Sequence, residues 1–584
     1  MEPHVWKRDR KLHLSYEIPH RTTGAQLYPV AAPNGSDVIV YGHDRGVRIL
    51  WRGGRRRRQT QAAQAAGKAQ TNGTRSRKDA VALTADDDDD GQVMFEDEED
   101  EQDPDYPYPR INQEVDIELE AEVLRLALPI LPLLALRQQG LLREQAYLAI
   151  ACSDGSVQVL KLDLIPPLDE GRVDYAETVR STALTLVADA AVCTDLAAKL
   201  SIRKQDTLSS DDPTSIFVVA VSDELRVYSL PLSETSPETI RKPQTVLVPL
   251  PHPVVAVSLH PSPTSGLILI ADVSGAVRVY EHISERGDLA DVTEDLHLTA
   301  QTSGGWRTAF MGPYAEAQTG VARRKHILDV QWVLDGKAVL ALLEDGRWGL
   351  WDFALGTQSH RSPGDFVSHG SLAPTTNLEA GLPIRQSKST SRLAPMTPST
   401  RKAKAEKLFI GPSKTTGAPG RGGISVSASS NRTGNIDESV VIWYDSEVYT
   451  IPNMQGFWQR SSDSGSGGSG SLYAPGLTHI GDVRLRNENI TSISQFAPSV
   501  TGAGGQMNTP RDLLVAAEHR LIISQSLRSP TPVRSLFAQA APKRPPVEDQ
   551  IMLDAGQLDL GGMDRLLDSM AHADPRPRKV GFTH

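Results

Sequence analysis

The chain has 584 residues, 39% of them hydrophobic and only 5% aromatic, with 46 glycines and 39 prolines. That composition excludes one compact body filling the whole length and points to an ordered core diluted by flexible insertions. A net charge of −11 gives no general reason to expect nucleic-acid binding, and two cysteines, Cys152 and Cys193, exclude a disulfide framework or a cysteine-rich zinc site.

The same two cysteines fit a reducing, intracellular compartment. The N-terminal stretch MEPHVWKRDRKLHLSYEIPH has no apolar h-region, so no secretory signal is expected. The most apolar stretch, 123–136, is too short to span a bilayer and carries Arg125, Pro129 and Pro132.

Residues 13–18 alternate weakly and read as a strand. A clearer unit follows: apolar residues 38–41, the turn His43-Asp44-Arg45-Gly46, and a strand, 47–51, ending in Trp51. Residues 53–112 then run from the basic Arg55–Arg58 to an acidic end with thirteen carboxylates between Asp86 and Asp105 and no basic residue among them. Such a block repels itself and buries no core, so 53–112 is expected to be a disordered insertion.

Strands resume at 115–119 and 123–128. The pattern of apolar strand, Asp/Gly turn and second strand recurs at 147–152 and 157–162 around Asp154, and at 216–221 and 225–230 around Asp223. It recurs again at 267–271 and 276–281 around Ser274-Gly275. Residues 184–196 are apolar but fit a strand or a helix equally. The best-preserved copy is ILDVQWVLDGKAVLALLEDGRWGLWDF, 327–353, where a fully apolar middle strand lies between two alternating ones, as expected when both of its faces are covered. A second long insertion is expected over 358–434. A sixth copy sits at 440–444 and 447–451, a Gly/Ser linker at 461–472, and a seventh copy at 513–517 and 521–524. Residues 531–584 read as a flexible tail with a short amphipathic helix at 558–571, which would serve either as a latch on the chain itself or as a docking peptide.

Seven such copies predict an all-β, seven-bladed β-propeller with long disordered insertions, occupying 1–52, 113–357 and 435–530. Radial repetition buries each sheet between its neighbours. A β-sandwich or two smaller β-domains is the alternative. The structural blade positions are the strand aromatics Trp51, Tyr228, Tyr280, Trp351 and Trp443, the turn residues Asp154 and Asp345, and Asp352. The turn aspartates, Asp223 included, are expected to bond turn amides, and Trp348 and Trp351 to pack between blades. The segment 13–18 is expected to close the ring by pairing with the last blade.

No motif points to catalysis. GSGGSG at 465–470 matches a dinucleotide fingerprint only by composition, since no strand precedes it and no helix follows. His260, at a strand end before Pro261, reads as a loop-packing residue, because metal ligation needs clustered donors. No catalytic residue, cofactor, metal site, small-molecule substrate or membrane insertion is expected. The basic run Arg55–Arg58 and a second run from Arg401 to Lys404 fit nuclear-import signals, nucleic-acid contacts or solvated loop charge. The Ser/Thr-Pro pairs beginning at Ser362, Thr397, Ser529 and Thr531 fit proline-directed phosphorylation.

The segments ending at 162, 281 and 352 resemble degenerate WD40 blade ends, with Trp351-Asp352 supplying the eponymous dipeptide. The consecutive units 257–281 and 329–352, with YGHDRGVRILWRGG near the N-terminus, resemble the small WD40 β-propeller nucleoporins of the nuclear pore's outer-ring Y complex, in their filamentous-fungal form. The resemblance implies a non-catalytic scaffold at the nuclear envelope. Its propeller would dock on a large propeller-plus-helical nucleoporin. A chromatin-binding or ubiquitin-ligase WD40 adaptor is the rival reading, and a propeller enzyme a more distant one.

Overall fold

The computed structural model describes residues 1–8, 11–55, 108–131, 141–188, 190–202, 214–232, 243–283, 304–315, 323–353, 366–372, 420–430, 436–463, 476–481, 483–496 and 511–526. They form seven antiparallel sheets, six of four strands and one of five. From inner to outer strand, blade 1 is Thr22–Leu27, Asp37–His43, Gly46–Arg52 and Ile111–Glu118; blade 2 is Val123–Ala127, Gln145–Cys152, Val157–Asp163 and Leu184–Val187. Blade 3 is Asp195–Ile202, Thr214–Val221, Glu224–Pro231 and Gln244–Pro249, and blade 4 is Val254–Leu259, Leu267–Asp272, Ala276–His282 and Gly304–Met311. Blade 5 is Ile327–Val333, Ala338–Leu343, Arg347–Asp352 and Ser368–Ser371, and blade 6 is Gly422–Ser430, Ile436–Tyr444, Glu447–Ile451 and Thr478–His479.

Blade 7 takes its three inner strands, Ile490–Gln495, Leu513–Ala517 and Arg520–Ser526, from the far end of the ring sequence. Its fourth and fifth come from the N-terminus, Lys11–Glu17 and His4–Arg8. Lys11–Glu17 pairs along Arg520–Ser526 from Lys11 opposite Ser526 to Glu17 opposite Arg520, the closure anticipated for 13–18. Each inner strand packs beside the next, and that of blade 7 beside that of blade 1, so the chain is a closed seven-bladed β-propeller.

Alternation within a strand explains why the recurring hairpins are so apolar. In Ala338–Leu343 every residue is buried. Ala338, Leu340 and Leu342 join a cluster with Val440 and Ile442 of blade 6, while Val339, Ala341 and Leu343 join one with Leu269 and Val277 of blade 4. Successive side chains point to opposite faces of the sheet, so this strand is core to two neighbours at once. Burying each large apolar side chain contributes roughly 1.5–3 kcal/mol.

The structure corrects several boundaries. Two strands lie inside the span expected to be an insertion, 358–434: Ser368–Ser371 and Gly422–Ser430. Ser368–Ser371 is polar throughout and held by backbone pairing, so no apolar pattern betrays it; Gly422–Ser430 alternates Ile424, Val426 and Ala428 with serines, a short period-2 pattern at the end of a long Ser/Thr/Pro/Gly-rich stretch. The outer strand of blade 1 likewise begins at Ile111, within 53–112. The ambiguous 184–196 stretch splits into the outer strand of blade 2 and the start of blade 3. Three α-helices were not anticipated, a single turn at Leu141–Glu144 and two of ten residues, α1 at Arg172–Ser181 and α2 at Met454–Asp463, and α2 takes the first residues of the expected 461–472 linker.

The rest of the insertions, the basic and acidic runs from Arg56 to Asp105 and from Arg401 to Lys404, the 465–470 glycine motif, the Ser/Thr-Pro pairs and the 558–571 helix lie outside the described residues. The ring falls within a compact unit, Met1–Ser526; a second unit, Leu527–His584, is also outside them. Among the described residues no helix is long and apolar enough to cross a membrane.

Candidate interaction surface

Four of the five singled-out aromatics lie in third strands, where a large ring bridges to the next element. Trp51 is fully buried, donates its indole N–H to the Leu164 carbonyl at 2.8 Å and meets Tyr175 of α1 edge-on at 5.8 Å. Tyr228 is buried in the cluster shared by blades 1 to 3. Tyr280 meets Trp306 of its own blade's outer strand edge-on at 5.3 Å. Trp351 stacks on Phe310 of blade 4 at 5.4 Å, while Trp348, three residues earlier, faces the other way toward Phe457 of α2. Trp443 differs: it sits in the second strand of blade 6 and packs toward blade 7.

The turn carboxylates divide. Asp154 accepts the Ser156 amide at 2.9 Å and its hydroxyl at 2.7 Å. Asp345 accepts the Arg347 amide at 3.2 Å and also pairs with Lys325 at 2.5 Å, so it is an ion-pair residue as well as a turn residue. Asp352 ends its strand opposite Ala338. Asp223 makes no amide bond among the described residues; its turn is closed by Ser222 N–H on the Glu224 carbonyl. The strongest turn carboxylate, Asp272, was missed. It is buried, accepts the Ser274 amide at 2.9 Å and pairs with Arg278 at 3.0 Å.

Every joint between neighbouring blades is crossed by hydrogen bonds near the central channel. The Thr23 hydroxyl donates to the Val123 carbonyl at 2.7 Å, and Ile130 exchanges backbone bonds with Ala198 and Leu200. Asp195 accepts the Val257 amide at 2.7 Å, and the Ser258 hydroxyl donates to Gln331 at 2.9 Å. Asp329 accepts the Ile424 amide at 2.7 Å, and the Gln495 amide donates to the Ser425 carbonyl at 2.9 Å. Ser492 completes the circle by accepting the Ala25 amide at 2.8 Å. Enclosure by the ring disfavours the charged form of Asp329 and raises its pKa to about 7.

Two titratable clusters also span joints. Lys199 is buried and donates to the His260, Ser262 and Ser265 carbonyls, tying blade 3 to the first loop of blade 4; desolvation lowers its pKa to about 8. His260 is held neutral, its pKa lowered to about 4 by burial and by the Lys199 charge, and its Nδ1 accepts the Ser262 amide. That is the packing role expected of it. At the seam of blades 7 and 1, His20, His43 and Asp44 bring three possible metal-ligand atoms together. The rings of His20 and His43 are stacked at 4.5 Å with planes 20° apart, so their in-plane lone pairs do not converge on one point. His43 is moreover engaged at both nitrogens, Nδ1 by the Arg45 amide at 3.1 Å and Nε2 by Asp116 at 3.0 Å. Asp116 is partly buried, which alone would raise its pKa, but bonds from His43 and Arg48 hold it at about 2. The arrangement fits an ion-pair cluster better than a metal centre.

With these groups committed internally, the two rims remain for partners. The turns between second and third strands share one rim with the links that lead into each following blade. Backbone bonds tie them together, as from Leu119 to the Arg45 carbonyl, Ser153 to Glu122, Val273 to Pro253 and Thr22 to Glu518. The opposite rim carries α1, α2 and the strand ends that flank most of the undescribed segments, 56–107 and 284–303 among them.

A family model described as "Nucleoporin NUP37 N-terminal domain" matches residues 15–524. The chain is also 26% identical over 585 aligned positions, 87% of this chain and 76% of the other, to a curated protein of Chaetomium thermophilum named Nucleoporin NUP37.

Proposed function

Because the chain belongs to the nucleoporin NUP37 family and is thereby a component of the nuclear pore complex, we propose that it is a non-catalytic scaffold subunit of the outer ring, whose propeller docks on a large propeller-plus-helical nucleoporin of the Y complex. The observation that carries this reading is the internal use of the ring's polar groups. The half-buried carboxylates Asp195 and Asp329, the buried lysine and the histidines each bond a neighbouring blade or turn, which suits a rigid body offering rim surface for protein–protein contact.

Affinity purification of the tagged full chain tests it. Outer-ring nucleoporins are the expected co-purifying proteins. Recovery of histones or a cullin adaptor without nucleoporins would instead establish the chromatin-reader or ubiquitin-receptor reading.

A further inference from the structure

The turn rim is electrostatically divided. From blade 5 round to blade 1 most of its carboxylates are paired with cations within the chain. Glu344 pairs with Arg323 at 2.7 Å, Asp345 with Lys325 at 2.5 Å, Glu488 with Arg520 at 2.7 Å and Glu518 with Arg21 at 3.3 Å, while Asp445 accepts only the Arg421 amide at 3.2 Å. From the blade 1–2 link to the turn of blade 3 the pattern reverses. Glu118, Glu120, Asp154 and Asp223 are exposed, and none has a cationic partner among the described residues. The arginines nearby are already engaged, Arg125 with the Thr194 carbonyl at 2.9 Å and Arg226 beside Glu224 at 3.7 Å.

The same arc is where the rim turns apolar. Val192, in the link between blades 2 and 3, is 49% exposed, and Val273, on the blade 4 turn, is 38% exposed. The link residues Ala191, Pro251 and Pro253 are exposed on the same rim, and a shallow hollow at the blade 2–3 joint is lined by Val157, Val187 and Ala190 together with Ser222 and Arg226. A protein surface normally covers or charges such residues, and an apolar patch with a polar border marks an interaction site.

We propose that this arc, from the blade 1–2 link to the blade 4 turn, is the partner-docking surface, and that it receives a segment carrying lysine or arginine around one or two aliphatic side chains. The aliphatic group lies against the exposed Val192 side chain, and the cations meet Glu118, Glu120, Asp154 and Asp223. Charge complementarity selects this occupant, because four exposed carboxylates of this arc have no cationic partner among the described residues. The inference rests on the scaffold reading, with the outer-ring nucleoporin as the protein that supplies the segment.

The test uses the full-length chain in three variant forms: the combined Glu118→Lys, Glu120→Lys and Asp223→Lys; the apolar Val192→Asp; and the control Glu177→Lys on α1, at the opposite rim. All these side chains are exposed, and an unchanged melting temperature confirms folding in each. Outer-ring nucleoporins recovered with each form are quantified by mass spectrometry at low and high salt. The charge-reversed and Val192→Asp forms are expected to lose recovery by about tenfold or more, the control to match wild type, and wild-type recovery to fall as salt rises. Undiminished recovery by both arc variants would overturn the assignment of the surface while leaving the scaffold reading intact. A wild-type chain that recovers no outer-ring nucleoporin would remove both.

Discussion

Glu438 shows how much one side chain carries in this ring. Leu334, Asp335 and Gly336 hold φ of 57°, 56° and 82°, a left-handed run that two non-glycine residues adopt only when something holds them there. The buried Glu438 carboxylate, on blade 6, accepts the successive amides of Leu334 and Asp335 on blade 5, an anion seated in a nest of N–H groups. Glu438→Ala leaves both amides without an acceptor and is expected to lower stability by about 2–4 kcal/mol, read from urea unfolding, with Glu438→Gln intermediate. Gly336 has no substitute, since a Cβ there would meet His260 Nε2 at 2.0 Å.

Asp329 gives the ring a dependence on pH. An unfolded aspartate holds its proton only below about 4, whereas burial lets Asp329 hold it up to about 7. Between these limits the native state binds more protons than the unfolded chain, so this group's contribution to stability falls as pH rises from about 4 to about 7. His260, with its pKa lowered to about 4, acts in the opposite sense over part of that range, because the unfolded chain binds the extra proton there. Comparing variants separates the two. Asp329→Asn is expected to gain stability relative to wild type as pH goes from 4.5 to 7.5, and a difference that stays constant with pH would refute the assignment.

At the scale of elements, the sequence revealed the strands that are core on both faces and hid those that are not. All seven recurring hairpins are the second and third strands of their blades, because only there does every residue face a neighbouring sheet. Outer strands such as Ser368–Ser371 and Thr478–His479 have solvent on one side and carry no apolar period. Gly422–Ser430 is hidden by its setting: Ile424, Val426 and Ala428 alternate with serines, but the strand follows a long Ser/Thr/Pro/Gly-rich stretch, and Ser425 spends its carbonyl on Gln495 of the next blade. The Asp154 and Asp345 turns could be read locally. The joint from Asp195 to Val257 could not, since it depends on two blades meeting in a particular register. The two N-terminal strands should differ in weight. Removing residues 1–8 strips only the outermost strand of blade 7 and is expected to lower the melting temperature modestly. Removing 1–17 uncovers Arg520–Ser526 and is expected to abolish the cooperative thermal transition measured by circular dichroism.

For the whole molecule, the insertions hang from points that are already joined. Gly53 donates its amide to the Arg110 carbonyl at 2.7 Å, and the Asn112 side chain bonds the Gly53 and Gly54 carbonyls at 3.1 Å. The flanks of 56–107 are therefore held side by side without the intervening residues. Replacing 56–107 with a short glycine-serine linker is expected to leave the melting temperature within a few degrees of wild type, since loop-closure cost changes slowly with length. A large fall would show that the insertion contributes to the core.

The swapped strand in blade 7 sets an order on the protein's synthesis. Lys11–Glu17 leaves the ribosome first, yet its partner, Arg520–Ser526, is translated about 500 residues later, roughly 25–100 s at ordinary elongation rates. Throughout that interval Leu12, Leu14 and Tyr16, all buried in the finished ring, belong to a hairpin with His4–Arg8 whose other edge awaits Arg520–Ser526. The nascent chain thus carries its closing hairpin with one edge open until Arg520–Ser526 has been translated, and a product stalled or truncated before that point ends its life as an open arc.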